Sequence, residues 1–311
     1  MAAPVRKAVF PVAGLGTRFL PASKAIPKEM LTVVDRPLIQ IVVDEAREAG
    51  IEHLIFVTGR NKSAIEDHFD RQPELEDTLA ARGKTAELDA LLRDLPAPGE
   101  TSFVRQQEPL GLGHAVWCAR ELVGDEPFAL ILPDVLVQCK GKGCTAQMLD
   151  VYEAHGGNIL AVEPLPEEEL KNYGVVGIGE GDGRVFPINF MVEKPKLGTA
   201  PSNLTILGRY ILQPEIFDIL SAKETGTGGE IQITDAMIKL LATQDFHALK
   251  YEGRTFDCGS KLGFLLANVA YALDRPELRD TLAAEIRKLI CDRARPESGL
   301  SRRLIGSAQQ D

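Results

Sequence analysis

Cysteine is scarce and scattered. The 311-residue chain carries five, Cys118, Cys139, Cys144, Cys258 and Cys291, and no two form a CxxC pair. That excludes a disulfide framework, and the five histidines (His53, His68, His114, His155, His247) show no zinc spacing. Reduced thiols in a cytoplasmic protein are the expectation. Positive charge is in deficit as well: 35 Lys and Arg stand against 45 Asp and Glu, for a net charge of −10. Such a balance argues against a nucleic-acid or anionic-membrane binder, so an anionic substrate must be met by a local basic site. No apolar run approaches the length that spans a bilayer, and Met1 to Lys7 has no long apolar stretch behind it, so no signal peptide is expected.

What is present is alternation. "KAVFPVA" (Lys7 to Ala13), "EHLIFVTG" (Glu52 to Gly59), "TSFVRQ" (Thr101 to Gln106), "PFALILPD" (Pro127 to Asp134) and "NILAVEPL" (Asn158 to Leu165) read as buried strands. Between them lie helical patterns: Arg36 to Gly50, a short one in "NKSAIEDHF", a long polar one from Glu74 to Leu95 weakened at Gly83, and His114 to Val123. This rhythm predicts a mostly parallel sheet flanked by helices. Beyond Leu165 it changes. "YGVVGIGEGDGRVFPINFMVEKP" (Tyr173 to Pro195) reads as a β-hairpin insertion, a further strand ends at Asp257, and helices are predicted over Gly229 to Ala242, Lys261 to Leu273 and Arg275 to Cys291. The expectation is one domain over residues 1–292, with a half at 7–165, a second at 166–260, C-terminal helices at 261–292 and a flexible tail at 293–311.

The stretch "VAGLGTRFLPASKAIPKEM" (Val12 to Met30) follows the first strand and concentrates Gly14, Gly16, Thr17, Arg18, Lys24 and Lys28. Glycines after a first strand either make a tight turn or let backbone N–H groups cradle a phosphate. The loop is not a dinucleotide fingerprint, because Phe19 stands where the third glycine belongs, and it is not a GxxxxGK[ST] loop.

Together with "QQEPLGLGHAV", "ILPDV", "YGVVGI", "VEKPK", "APSNLTILGRYIL", "GTGGEIQITDA" and "FDCGSKLGF", the loop resembles the nucleoside-diphosphate-sugar pyrophosphorylases, and among them closely the bacterial UTP–glucose-1-phosphate uridylyltransferases. The segments span almost the whole chain in that family's order. The resemblance implies a Rossmann-like nucleotidyltransferase fold and a homodimer or homotetramer. It also implies the reaction of UTP with glucose 1-phosphate to give UDP-glucose and pyrophosphate, with Mg²⁺. Two other readings stand beside it: the same fold serving another nucleotide or sugar, as in a thymidylyl- or adenylyltransferase, or a catalytically silent regulatory subunit that binds sugar nucleotides.

Such a transfer needs positioning and charge neutralisation rather than a protein nucleophile. Arg18 is suited to clamp phosphates bidentately and Lys28 to meet them as a point charge. Asp134 ends the most apolar strand, where ligands of open α/β sheets bind, although an aspartate after proline also makes turns. Asp257 is either a helix N-cap or a ligand; as a pair the two resemble the family's Mg²⁺ carboxylates, with Val135 where many relatives carry a further acid. Gln106 has the amide for reading a uracil edge, and Gly111 would let the backbone pass close to the ring. Ala13, Gly14 and Glu29 resemble the remaining nucleoside contacts; Gly174, Glu193 and Lys194 resemble the sugar-phosphate side, though Glu193 and Lys194 also read as a solvated pair at a strand end.

Overall fold

The short apolar runs become strands of a single sheet. A computed structural model describes residues 3–181 and 183–294. In chain order the first part holds β1 (Lys7–Pro11), the two-residue strands β2 (Thr32–Val33) and β3 (Arg36–Pro37), α1 (Leu38–Glu48), β4 (His53–Thr58), α2 (Ser63–His68), α3 (Pro73–Ala81), α4 (Thr85–Asp94), β5 (Thr101–Arg105), α5 (Leu112–Cys118), α6 (Arg120–Val123) and β6 (Phe128–Ile131). Strands β5, β4, β1 and β6 lie side by side and parallel. Parallel neighbours require crossovers, which the helices supply. Successive residues alternate between two cores: Ala8, Phe10, Leu54 and Phe56 face one, beneath α1, while Val9, Ile55 and Val57 face the other, beneath α5. Both faces are covered, so these strands read as continuous apolar runs.

The second part adds β7 (Val135–Gln138), α7 (Cys144–His155), β8 (Asn158–Pro164), α8 (Glu167–Leu170), β9 (Gly174–Ile178), β10 (Val185–Glu193), β11 (Leu204–Leu212), α9 (Ile216–Ser221), α10 (Ile233–Leu240), β12 (Phe246–Lys250), β13 (Arg254–Asp257), α11 (Lys261–Asp274) and α12 (Pro276–Ala294). The nine-stranded sheet runs β5-β4-β1-β6-β11-β8-β12-β10-β9. Strand β11 enters antiparallel between β6 and β8, and also pairs with β9 through Thr205 and Val175, so the last five strands close on themselves. Outside the sheet β13 pairs with β7, which sets Asp257 opposite Val135 and therefore next to Asp134.

Several boundaries differ from the sequence reading. Helix α1 starts at Leu38 rather than Arg36, because Arg36 and Pro37 pair with Val33 and Thr32. The long polar helix is two, α3 and α4, separated around Gly83, whose φ of 66° is left-handed. The helix expected from His114 starts at Leu112 and breaks after Cys118, and only Ile233–Leu240 of the stretch from Gly229 is α-helical. The apolar stretch Leu204–Leu212 is a fully buried strand that the alternation did not single out. Helix α12 reaches Ala294, so the tail expected from residue 293 begins as helix; residues 295–311 lie outside the described ones. Among the described residues no helix is long and apolar enough to cross a membrane.

Candidate active site

The residues expected to bind a nucleotide stand beyond the carboxyl ends of the four parallel strands. Ala13 and Gly14 follow β1, Gln106 follows β5 and Asp134 follows β6. The loop after β1 is pinned at its root by Val12 N–H donating to the Val57 carbonyl, 2.9 Å. It then curls through Gly16, which has a left-handed φ of 66°, into a 3₁₀ turn at Thr17–Phe19. A side chain at Gly16 would be strained by that conformation and would press on Ser23 and on the Lys28 stem, at 3.2 and 3.3 Å. Ser23 Oγ donates to the Gly16 carbonyl at 2.6 Å. The loop thus wraps the root of Lys28, while Thr17, Arg18 and Lys24 are exposed.

Lys28 reaches from this loop to Asp134, Nζ to Oδ2 2.5 Å. Burial pulls the Asp134 pKa up, but the Lys28 ammonium, a backbone hydrogen bond and Arg18 together hold the carboxyl below the usual carboxylate range. Burial lowers the Lys28 pKa, and Asp134 and Glu29 more than reverse that. Asp257 sits differently. Burial raises its pKa; a hydrogen bond from Gly259 N–H (2.9 Å) opposes this, and the charge of Asp134 adds to it. The helix-cap alternative for Asp257 does not hold: Ser260 caps α11, its Oγ accepting from Gly263 N–H at 3.0 Å.

Gly259 marks where these groups converge. A Cβ there would lie 2.9 Å from Asp257 Oδ1, 3.2 Å from Asp134 Oδ2 and 3.3 Å from Arg18 Nη1. One small space is therefore bordered by two carboxylates and a guanidinium, and a side chain would fill it. Hard carboxylate oxygens from two strand ends suit Mg²⁺, which takes one or two carboxylates and completes its shell with water and phosphate. Among the described residues no group of three or more His, Cys, Asp or Glu is placed to hold a metal unaided.

Glu29, in the 3₁₀ turn Lys28–Met30, is 0% exposed and pairs with Lys62, itself 6% exposed, at 2.7 Å. Burial raises the Glu29 pKa and lowers that of Lys62, so each depends on the other to stay charged. The second oxygen of Glu29, Oε1, is buried with no hydrogen-bond partner among the described residues. Gln106 is anchored by its N–H to the Thr58 carbonyl, 2.8 Å, and its side-chain nitrogen donates to the Gly111 carbonyl and to His114 Nδ1, both at 3.1 Å. Gly111 has φ 108°, and a Cβ on it would fall 2.8 Å from the Ile231 carbonyl, so close backbone packing as well as any base requires glycine there.

On the other side of the cleft Glu193 ends β10 opposite Gly174. As neighbours in a strand, Glu193 and Lys194 would point to opposite faces. Lys194 instead turns left-handed, φ 48°, with its N–H on the Tyr173 carbonyl at 3.0 Å. The turn brings Nζ to 3.4 Å from Glu193 Oε1, with Lys194 39% and Glu193 11% exposed. A Cβ on Gly174 would lie 3.3 Å from Glu193 Oε2, so the missing side chain leaves room for the carboxylate. Burial and then the Asp257 charge raise the Tyr173 pKa, which ties this segment to the two-carboxylate space.

Two residues escaped the sequence reading. Lys62 lies in "GRNKSAI", where nothing local marks it as buried. Arg209 carried a signal, an arginine inside the apolar run "TILGRYIL", which must find a partner if buried. It is 0% exposed, pairs with Glu45 at 2.8 Å and donates to the Leu132 carbonyl at 3.1 Å, fixing the chain just before Asp134.

Comparison with known proteins shows the family. A family model described as Nucleotidyl transferase matches residues 7–272. The UTP–glucose-1-phosphate uridylyltransferase of Bacillus subtilis (strain 168) is 51% identical over 278 residues, covering 89% of this chain and 94% of that protein. A UTP-bound UGPase from Acinetobacter baumannii superposes with a TM-score of 0.83 at 44% identity, over 93% of this chain and 99% of that one. A UDP-glucose pyrophosphorylase complexed with UDP-glucose gives 0.78 at 42% identity, over 88% and 100%. The chain belongs to the nucleotidyl transferase family and groups within it with the UTP–glucose-1-phosphate uridylyltransferases.

Proposed function

We propose that the chain joins UTP and glucose 1-phosphate to give UDP-glucose and pyrophosphate. The observation that carries the reading is the space at Gly259, where Asp134, Asp257 and Arg18 converge. The relatives named above supply the substrates by their own names. The glycine loop, with Gly14, Gly16 and Thr17, takes the phosphates of UTP, and Arg18 and Lys28 neutralise them. Ala13, Glu29, Gln106 and Gly111 form the nucleoside wall. Lys194 holds the phosphate of the sugar, and Glu193 and Gly174 hold its hydroxyls. The sugar-phosphate oxygen then attacks the α-phosphorus in line, and pyrophosphate leaves.

Asp134 and Asp257 are the residues that would hold Mg²⁺, whose chemistry is to neutralise the triphosphate. Lys28 occupies Asp134 Oδ2, so it serves as that carboxylate's counter-ion when no cation is bound. Residues 7–165 act as the nucleotide half of one domain, residues 166–260 as the sugar-phosphate half, and residues 261–292 as C-terminal helices. The five cysteines are unpaired, which fits a reducing cytoplasm. A homodimer or homotetramer is supported by Leu262, Leu265, Leu266 and Val269, an exposed apolar stripe on α11. Sedimentation of wild type and Leu265→Glu tests it; a wild-type monomer contradicts it.

The function is tested by incubating the protein with each of UTP, dTTP, ATP and CTP against glucose 1-phosphate and other sugar 1-phosphates. The expected result is pyrophosphate release fastest with UTP and glucose 1-phosphate, UDP-glucose as the product, and abolition by EDTA. No pyrophosphate with any pair would point to a regulatory subunit, and a faster pair would reassign the substrates.

A further inference from the structure

The hydrogen bonds of Gln106 fix more than its position. An amide nitrogen carries two hydrogens, and both are used: one on the Gly111 carbonyl and one on His114 Nδ1, at 3.1 Å each. The side chain is 8% exposed and its oxygen, Oε1, has no partner among the described residues. The outward-facing end of the amide is therefore an acceptor.

His114 shares this with the Gly111 carbonyl. To accept at Nδ1 its ring must be neutral with the proton on Nε2, and Nε2 faces Cys118 Sγ at 4.0 Å, one turn along α5. The ring stacks on Trp117 at 5.9 Å, and Trp117 is flanked by the cations of Arg120 and Lys223. Burial, and then Lys223, lower the His114 pKa against the opposing pull of Glu108. The neutral form is thus the resting one. With Nδ1 unavailable as an acceptor, only the Gly111 carbonyl would still oppose the amide's turning over and presenting its nitrogen.

We infer that His114 is a positioning residue for base choice, holding the Gln106 amide so that its oxygen meets the N3 edge of the pyrimidine. Uracil and thymine carry a hydrogen at N3 and satisfy an acceptor. Cytosine carries a lone pair there and leaves two acceptors facing each other, an unpaired arrangement that costs affinity. The inference rests on the reading that Gln106 lies against the base.

The test is the ratio of kcat/KM for UTP over CTP in wild type, His114→Phe, His114→Asn and Gln106→Ala. Phenylalanine keeps a ring on Trp117 without the acceptor, and asparagine places a carbonyl oxygen near the position of Nδ1. The ratio should fall about tenfold in His114→Phe, the scale of one hydrogen bond, and be restored in His114→Asn. A structural role alone would lower both nucleotides together and leave the ratio unchanged, which would overturn the inference. If Gln106→Ala also leaves the ratio unchanged, the base-site reading itself fails; if Gln106→Ala narrows it and His114→Phe does not, only the role of His114 fails. Independently of whether the variants fold, ¹⁵N NMR of labelled histidine in the wild type reads the tautomer. A proton on Nε2 supports the assignment, and a proton on Nδ1 contradicts it.

Discussion

The proposed nucleotide side and the proposed sugar side are built in different ways. Around the loop after β1, three polar groups are held by partners distant in sequence: Lys28 by Asp134, Glu29 by Lys62, and the Leu132 carbonyl by Arg209. Those contacts are largely buried, whereas Arg18 is exposed. On the sugar side the arrangement is local. Glu193 and Lys194 meet because one residue adopts a left-handed turn, and they meet loosely, with Lys194 in solvent. Long-range buried pairs couple the nucleotide site to the stability of the fold, whereas a strand-end turn can be altered at little structural cost.

The largest effect should come from breaking a buried pair. Lys62→Met leaves the Glu29 carboxylate uncompensated and should cost about 3–5 kcal/mol in urea unfolding. Glu29 already has a raised pKa, and without Lys62 it rises further. A carboxyl raised in the folded state stabilises it while protonated and loses that contribution as pH climbs through the folded value. The deficit of the variant should therefore be smallest in acid and grow toward neutrality. A pH-independent deficit of under about 1 kcal/mol, the range of a surface pair, would mean that the two sides do not differ in this way.

Next comes Asp257→Asn, which should lower turnover by about 100-fold or more, as when a major electrostatic stabiliser is lost. The same change should raise the melting temperature in EDTA. Burial and Asp134 push the Asp257 pKa up, so its ionised form is disfavoured in the folded state, and the wild type loses stability as pH rises through that folded value. A neutral amide removes this loss. A lower melting temperature would place Asp257 among the structural groups instead.

The smallest effect on stability is expected at Lys194. Lys194→Ala should leave the urea midpoint within about 0.5 kcal/mol of wild type, as exposed substitutions do. It should nonetheless lower kcat/KM for sugar phosphate by tenfold to a few hundredfold, since charge-assisted contacts are worth roughly 1.5–3 kcal/mol. Steady-state kinetics beside urea unfolding separate the two quantities.

The same contrast explains what could be read from the chain. The loop after β1, Asp134 and Asp257 were legible because glycine spacing and strand ends are local features, and the strand ends lie where a parallel sheet collects ligands. Lys62 was not, since its burial depends on Glu29, 33 residues away. The apparent conflict at Glu193 and Lys194 dissolves only with a left-handed φ at Lys194, which a non-glycine residue does not announce. Gly111 and Gly259 illustrate a further limit: their reason is a space or a neighbour contributed by other segments, at Ile231 and at Asp134 with Arg18. Strand β11 was hidden because Gly208 and Arg209 interrupt its apolar run, although it is buried along its whole length.

The division of the cleft is tested most directly by calorimetric titration of UTP into wild type and Lys194→Ala, without sugar phosphate, in Mg²⁺. If the nucleotide side is complete by itself, the two proteins bind UTP with the same Kd while only the variant is impaired in turnover. A loss of UTP affinity in Lys194→Ala, with normal kinetics toward glucose 1-phosphate, would contradict the assignment of the Glu193–Lys194 turn to the sugar phosphate.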